Sequence, residues 1–166
     1  MVHQMANQFP IELHCIDTWA GGVEHQSGGV VESDMPTVEE RFRHNIAKAM
    51  EQAAHRVDLH VHKSFSDDAL AKLMVEGKKN YFDFIYIDGS HQAPDVLLDA
   101  VLAFRLLRVG GLIVFDDHLW SETMPYGKDP LRCPKPAIDA FVNLNFRKFQ
   151  IITAPLYQIV VQKLSD

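Results

Sequence analysis

Four short apolar runs alternate with stretches whose apolar residues recur at helical spacing, and this alternation restricts the chain more than any other feature. Ile11–Ile16 (IELHCI), Val57–His62, Phe82–Ile87 (FDFIYI) and Leu112–Phe115 (LIVF) read as strands. The last is apolar without interruption, the mark of a strand covered on both faces. Phe42, Ile46, Ala49, Met50 and Ala53 predict an amphipathic helix over 38–54, with Thr37 and Glu40 spaced as a capping box. Ser66 caps a helix running to about Glu76, with Leu70, Leu73 and Met74 on one face, and Gly77 ends it. Pro94 suits the first turn of a helix reaching about Leu107, with Leu97, Leu98, Val101, Leu102 and the stretch Phe104 to Leu106 mostly apolar. Val109-Gly110-Gly111 reads as a turn, and Ala137–Phe146 as a short helix. Phe149–Thr153 and Leu156–Gln162 read as a closing antiparallel hairpin with an Ala154-Pro155 turn. The order predicts an α/β fold, a mostly parallel sheet with helices on both faces.

The chain has 166 residues, enough for one domain with a sizeable core. With 47% hydrophobic and 23% charged residues it is neither disordered, collagen-like nor a disulfide scaffold. A net charge of −6 argues against non-specific nucleic-acid binding, which needs a cationic face. No apolar run is long enough to span a membrane, and MVHQMANQFP lacks the basic and apolar regions of a signal peptide. A cytoplasmic protein is the expectation. Cys15 and Cys133 show no metal-ligand spacing.

In a parallel α/β sheet, ligands bind beyond the carboxyl ends of the strands. Here the first strand ends at Asp17, the third at Asp88 and the fourth at Asp116-Asp117, while the second ends near Ser64 and Ser66. A single aspartate in such a place commonly caps a turn. Several converging on one crevice are costly to desolvate unless paired or ligated. Asp88, Asp116 and Asp117 together suit a hard cation such as Mg²⁺. His91, three residues beyond Asp88, is placed to act as a general base, with helix capping as the plainer alternative. His118 has the same alternatives, with the plain one favoured. His14, His44, His55, His60 and His62 have no acidic partner at ligand spacing along the chain and read as ordinary core-edge or surface residues.

YFDFIYIDGSH followed by LLRVGGLIVFDDHLW resembles the class I S-adenosylmethionine-dependent methyltransferases, and more narrowly the metal-dependent macrolide-sugar O-methyltransferases. IDTWAGG, TVEERFRHNI and VHKSFSDDALAKL are similar to the same group, so the resemblance covers roughly residues 11–164. It implies a Rossmann-like methyltransferase sheet. It implies that Asp17 hydrogen-bonds the cofactor ribose, that Ser66 and Asp67 line the adenine, and that Asp88, Asp116 and Asp117 ligate Mg²⁺ or a similar cation. It implies His91 as catalytic base toward a small-molecule hydroxyl acceptor, with Trp19 and Trp120 as walls of the pocket or as packing. The loops 20–36 and 119–136 are the expected acceptor-binding segments.

The family fold opens with a strand and a GxGxxG-type loop that cradles the cofactor. This chain has neither, and Gly21-Gly22 and Gly28-Gly29 follow what matches the second family strand. The first strand is missing, as in an N-terminally truncated chain. In the family sheet it lies centrally, between the strands ending in Asp17 and Asp88. Those two strands then pair directly, or a partner chain fills the gap in a homodimer, or the sheet splits. Because open edges are hazardous, direct closure or dimerisation is expected. Weak or absent S-adenosylmethionine binding follows from the missing loop. The leading reading is a metal-dependent O-methyltransferase. A second is a non-catalytic remnant or interaction module keeping the fold, and a third is a metal-dependent hydrolase.

Overall fold

A computed structural model describes residues 2–25, 33–122, 124–153 and 157–166. Gly28-Gly29 and the Ala154-Pro155 turn lie outside these residues. The chain forms two compact units, 1–65 and 66–166. No described helix is long and apolar enough to cross a membrane.

The first unit contains α1 (Val2–Ala6), β1 (Ile11–Asp17), α2 (Met35–Glu51) and β2 (Val57–Lys63). The strands pair in parallel, with Ile11 opposite Val57 and Asp17 opposite Lys63. The chain enters β1 tethered to the segment before β2, since the His55 N–H donates to the Ala6 carbonyl at 2.9 Å. Trp19 is buried and its indole meets the Phe42 ring of α2 at 5.2 Å, so the packing alternative holds for this tryptophan. Phe42, Ile46, Ala49 and Met50 form the predicted stripe, each half-buried. Ala6 and Trp19 are the fully buried apolar residues described in this unit.

The second unit contains α3 (Ser66–Val75), β3 (Phe82–Ile87), α4 (Ala93–Leu106), β4 (Leu107–Phe115), α5 (Lys135–Asn145), β5 (Phe149–Ile152) and β6 (Ile159–Lys163). Its four-stranded sheet has the order β3-β4-β6-β5. β3 and β4 are parallel, and β6 runs antiparallel to both β4 and β5. The predicted closing hairpin is therefore present. The core joins Val96, Ala100 and Phe104 of α4, Ile113 and Phe115 of β4, Ile138 and Phe141 of α5, Phe149 and Val161. The Phe141 ring stacks on Phe149 at 6.0 Å and meets Phe104 edge-on at 5.6 Å, a geometry that adds to simple area burial. At the far edge, Lys163 is 1% exposed, and its ammonium donates to Asn80 Oδ1, Phe104 O and Leu107 O at 2.8, 3.1 and 2.9 Å. Asp166 pairs with it at 2.7 Å.

Three expectations change. β1–β2 and β3-β4-β6-β5 are separate sheets, so the strands ending in Asp17 and Asp88 are not paired directly. The helix expected from Thr37 begins at Met35, with Asp34 as N-cap and Pro36 in the first turn. Thr37 instead donates its hydroxyl to Asp34. Val109-Gly110-Gly111 is not a turn. It lies inside β4 as a bulge, with Phe82 opposite Leu107 and Phe84 already opposite Leu112. Gly110 supplies the left-handed backbone, φ +84°, that the extra residues require. Of the apolar residues expected on α4, Phe104 and Leu106 are buried together with Ala93, Val96, Ala100 and Ala103, while Leu97, Leu98 and Val101 remain exposed. Small residues let the helix approach its neighbours more closely than leucines would.

Candidate functional site

The carboxyl ends of β3 and β4 deliver the acidic residues of the second unit. Asp88 directly follows β3 and Asp116-Asp117 directly follow β4. Successive residues of an extended strand face opposite ways. Asp117 breaks that alternation with φ +52°, a conformation aspartate tolerates better than most residues. The two neighbouring carboxylates meet different partners. Asp117 Oδ2 lies 3.1 Å from His91 Nε2. Asp116 accepts from the Tyr86 hydroxyl, from Gln158 Nε2 at 3.3 Å and from the Asp117 N–H at 3.0 Å.

His91 is held by its own loop. The Ser90 hydroxyl donates to Asp95 in the first turn of α4 at 2.8 Å and accepts from the Gln92 N–H at 3.0 Å. This order at the helix entry fixes the segment carrying the imidazole. Above it the Trp120 indole stacks at 4.0 Å, with the planes 18° apart. Trp120 thus stands at this site, as one of the two alternatives held.

One ligand atom each from Asp88, His91 and Asp117 fall within 4.8 Å of one another. Burial pushes the Asp88 carboxyl up to about 6, and the Asp116 and Asp117 charges push the same way against the pull of His91. Burial also raises Asp116, yet the bonds from Tyr86, the Asp117 N–H and Gln158 outweigh it and hold this carboxyl below its ordinary range. Burial and the Asp116 carboxylate push Tyr86 up to about 12, keeping it a phenol donor. A shallow recess beside them is lined by Asp88, His91, Asp116, Asp117, Ile87 and Pro134.

The other predicted residues lie elsewhere. His118 Nε2 pairs with Asp139 of α5 at 2.9 Å, a contact outside the acidic cluster. Ser66 opens α3 and its hydroxyl bonds Asp99, while Asp67 accepts from the Asp68 N–H at 2.9 Å. Asp17, in the first unit, accepts from the Trp19 N–H at 2.7 Å, the turn-capping role open to any strand-end aspartate. Cys15 is half-buried in β1, and burial pushes its thiol pKa up. Tyr86, Gln158 and Asp99 escaped the sequence reading. Tyr86 was within reach, since two residues before Asp88 on a strand is the same face.

A sequence profile of the methyltransferase domain family matches residues 1–118, well over half the chain. The chain belongs to this methyltransferase family. Its fold is the Rossmann-like α/β fold of the class I enzymes. The methyltransferase-family chain is 33% identical over 78 residues to tricin synthase 1 of Oryza sativa subsp. japonica, covering 46% of this chain and 30% of that protein. It spans under a third of the length of that curated relative. Among solved structures, the O-methyltransferase TomG of Streptomyces achromogenes, bound to S-adenosylmethionine, superposes with a TM-score of 0.54 at 17% identity. That superposition covers 99% of this chain and 78% of TomG. MycE of the mycinamycin biosynthetic pathway, bound to Mg, S-adenosylhomocysteine and mycinamycin VI, gives 0.52 at 17% identity, covering 98% of this chain and 47% of MycE. At these identities the structural likeness concerns the fold.

Proposed function

We propose that this methyltransferase-family chain transfers a methyl group from S-adenosylmethionine to a hydroxyl of a small molecule, assisted by a divalent cation. The observation that carries the reading is Asp88. Its carboxyl, exposed at the residue level but partly desolvated and beside two further carboxylates, is pushed up to about 6, and a bound cation would relieve that repulsion. The oxygen-rich donor set fits a hard cation such as Mg²⁺.

Asp88 and Asp117, whose ligand atoms converge, would hold the ion; Asp116, whose oxygens face Tyr86, Gln158 and the Asp117 N–H, is the third ligand on the family resemblance alone. When bound, it lowers the pKa of the acceptor hydroxyl and fixes its oxygen. Tyr86 and Gln158 keep the Asp116 carboxylate in one orientation, as partners of a ligating carboxylate do. His91, aligned by Asp117 and backed by Trp120, removes the hydroxyl proton. The Asp117 carboxylate compensates the charge that the imidazole then carries. Asp17 is the proposed ribose partner, and Ser66 with Asp67 the proposed adenine-side residues. For these the support is the family resemblance of their sequence positions.

Calorimetric titration with S-adenosylmethionine, with and without Mg²⁺, tests the proposal. Binding that tightens with Mg²⁺ and weakens in Asp88→Asn supports it. No heat at millimolar cofactor would favour the non-catalytic reading.

A further inference from the structure

The first unit carries a second cluster of ligating side chains, of different chemistry. In β1 and β2 alternate residues share a face. One face holds Ile11, Leu13 and Cys15 beside Val57, Leu59 and Val61. The other holds Glu12 opposite Asp58, His14 opposite His60, and Ile16 opposite His62. Three histidines and two acids thus occupy one side of a two-stranded ladder.

Their side chains are gathered rather than dispersed. The His14 ring stacks between its neighbours, 4.5 Å from His60 and 5.1 Å from His62, with interplanar angles of 14° and 13°. His14 Nε2 lies 2.7 Å from Glu12 Oε1, and His14 Nδ1 lies 2.9 Å from His62 Nε2. The His14 side chain is only 8% exposed. Ligand atoms of Glu12, His14 and His60 fall within 4.8 Å of one another. The Asp58 carboxylate lies 3.8 Å from His60 Nε2, an electrostatic neighbour beyond hydrogen-bond distance.

We propose that Glu12, His14 and His60 form a transition-metal site, with His62 bonded to the second nitrogen of His14. Two imidazoles and one carboxylate are a donor set that zinc accepts, with a fourth position open. Imidazole donors favour Zn²⁺, Ni²⁺ or Cu²⁺ over Mg²⁺. Metal bonds of about 2.0–2.2 Å require the ligand atoms to draw to about 3.3 Å apart. The His60 side chain, 44% exposed, has the freedom to supply that movement. The contact to His62 fixes which His14 nitrogen faces the metal, the usual arrangement around a ligating histidine. Glu12 and Asp58 offset the charge of the cation. This site is independent of the acidic cluster of the second unit, which offers mostly oxygen.

The test uses the full chain in saturating Mg²⁺, which occupies the oxygen-rich cluster, titrated with Zn²⁺ and separately with Co²⁺ as a spectroscopic probe. One equivalent should bind, with Co²⁺ absorption of a low-coordinate nitrogen–oxygen site. His60→Gln and Glu12→Gln, both at exposed or part-exposed side chains, should each lower affinity at least tenfold while circular dichroism stays unchanged. Asp88→Asn should bind Zn²⁺ like the wild type. Failure of the wild type to take up Zn²⁺ would overturn the site. So would undiminished uptake by His60→Gln and Glu12→Gln, which would assign the metal to other histidines such as His44 or His55.

Discussion

His91 lies flat against Trp120, ring centroids 4.0 Å apart and planes 18° from parallel, while its Nε2 faces Asp117 Oδ2 at 3.1 Å. The imidazole is held on its face by the indole and at its edge by the carboxylate. Stacking removes rotation about the ring's bond to the chain, so the nitrogen keeps one direction. Trp120→Ala is expected to lower the methyl-transfer rate about 10–100-fold, the usual cost of losing a partner that orients a site residue. Trp120→Phe keeps the flat surface and should retain most of the rate. Steady-state kinetics of the two variants decide it, and equal losses would show that the stack orients nothing.

Asp99 of α4 is buried at 5% exposure, bonded by Ser66, and its Oδ1 has no hydrogen-bond partner. Burial pushes this carboxyl up to about 6, with the Asp95 and Asp67 charges adding to the shift. A folded-state value above the unfolded one favours folding below about pH 4, and that advantage is lost as pH rises through about 6. Asp99→Asn removes the titration. Relative to wild type, the variant should gain up to about 3 kcal/mol between pH 4 and pH 7.5. Urea unfolding at both pH values measures it, and a difference that does not vary with pH would sink the assignment.

Lys163 is a cation in an almost dry position, answered by three neutral oxygens and the Asp166 carboxylate. Lys163→Met keeps much of the aliphatic volume but leaves the Phe104 and Leu107 carbonyls and Asn80 without their donor. A loss of about 3 kcal/mol or more is expected. Chemical denaturation would show it as a lower midpoint, and an unchanged midpoint would mean that water replaces the ammonium without cost.

Gly111 and Gly77 are glycines for different reasons. A Cβ on Gly111 would lie 2.9 Å from the Asp83 carbonyl oxygen and from Leu107 Cδ1. Gly77 has open space around it but φ +85°. Gly111→Ala should therefore cost about 2–3 kcal/mol through overpacking against backbone. Gly77→Ala should cost about 1 kcal/mol through conformation alone. Thermal melts of the two variants give the ranking, and a reversal would refute the bulge geometry.

Local chemistry was readable from the residues in order, and long-range register was not. The strand ends at Asp17, Asp88 and Asp116 follow from apolar runs stopped by acid, and each strand overlaps its predicted run, although β4 begins five residues earlier at Leu107. Pro94 and Gly77 mark a helix start and a helix end for reasons internal to their own segments. Asp116 and Asp117 meet different partners, and Asp117 is left-handed, a conformation that aspartate permits but does not demand. The bond between His14 and His62 spans 48 positions. The histidines of β1 and β2, read as ordinary, do have an acidic partner in Glu12, and cross-strand register is what brings the group together. Which apolar residues of α4 are buried was not legible, because apolarity marks a face as suitable for burial while closeness of approach decides which face is used.

Full apolar burial is unevenly divided: Ala6 and Trp19 in the first unit, against the Phe104–Phe141–Phe149 core and its neighbours in the second. Opening free energy follows burial, so protection of backbone amides from solvent exchange should be graded along the chain. The amides of β1 and β2 would then exchange through brief local openings, and those of β4 and β6 only with global unfolding. A ligand bound to the softer half acts there as a clasp, and its grip would register first as slowed exchange between Ile11 and Lys63.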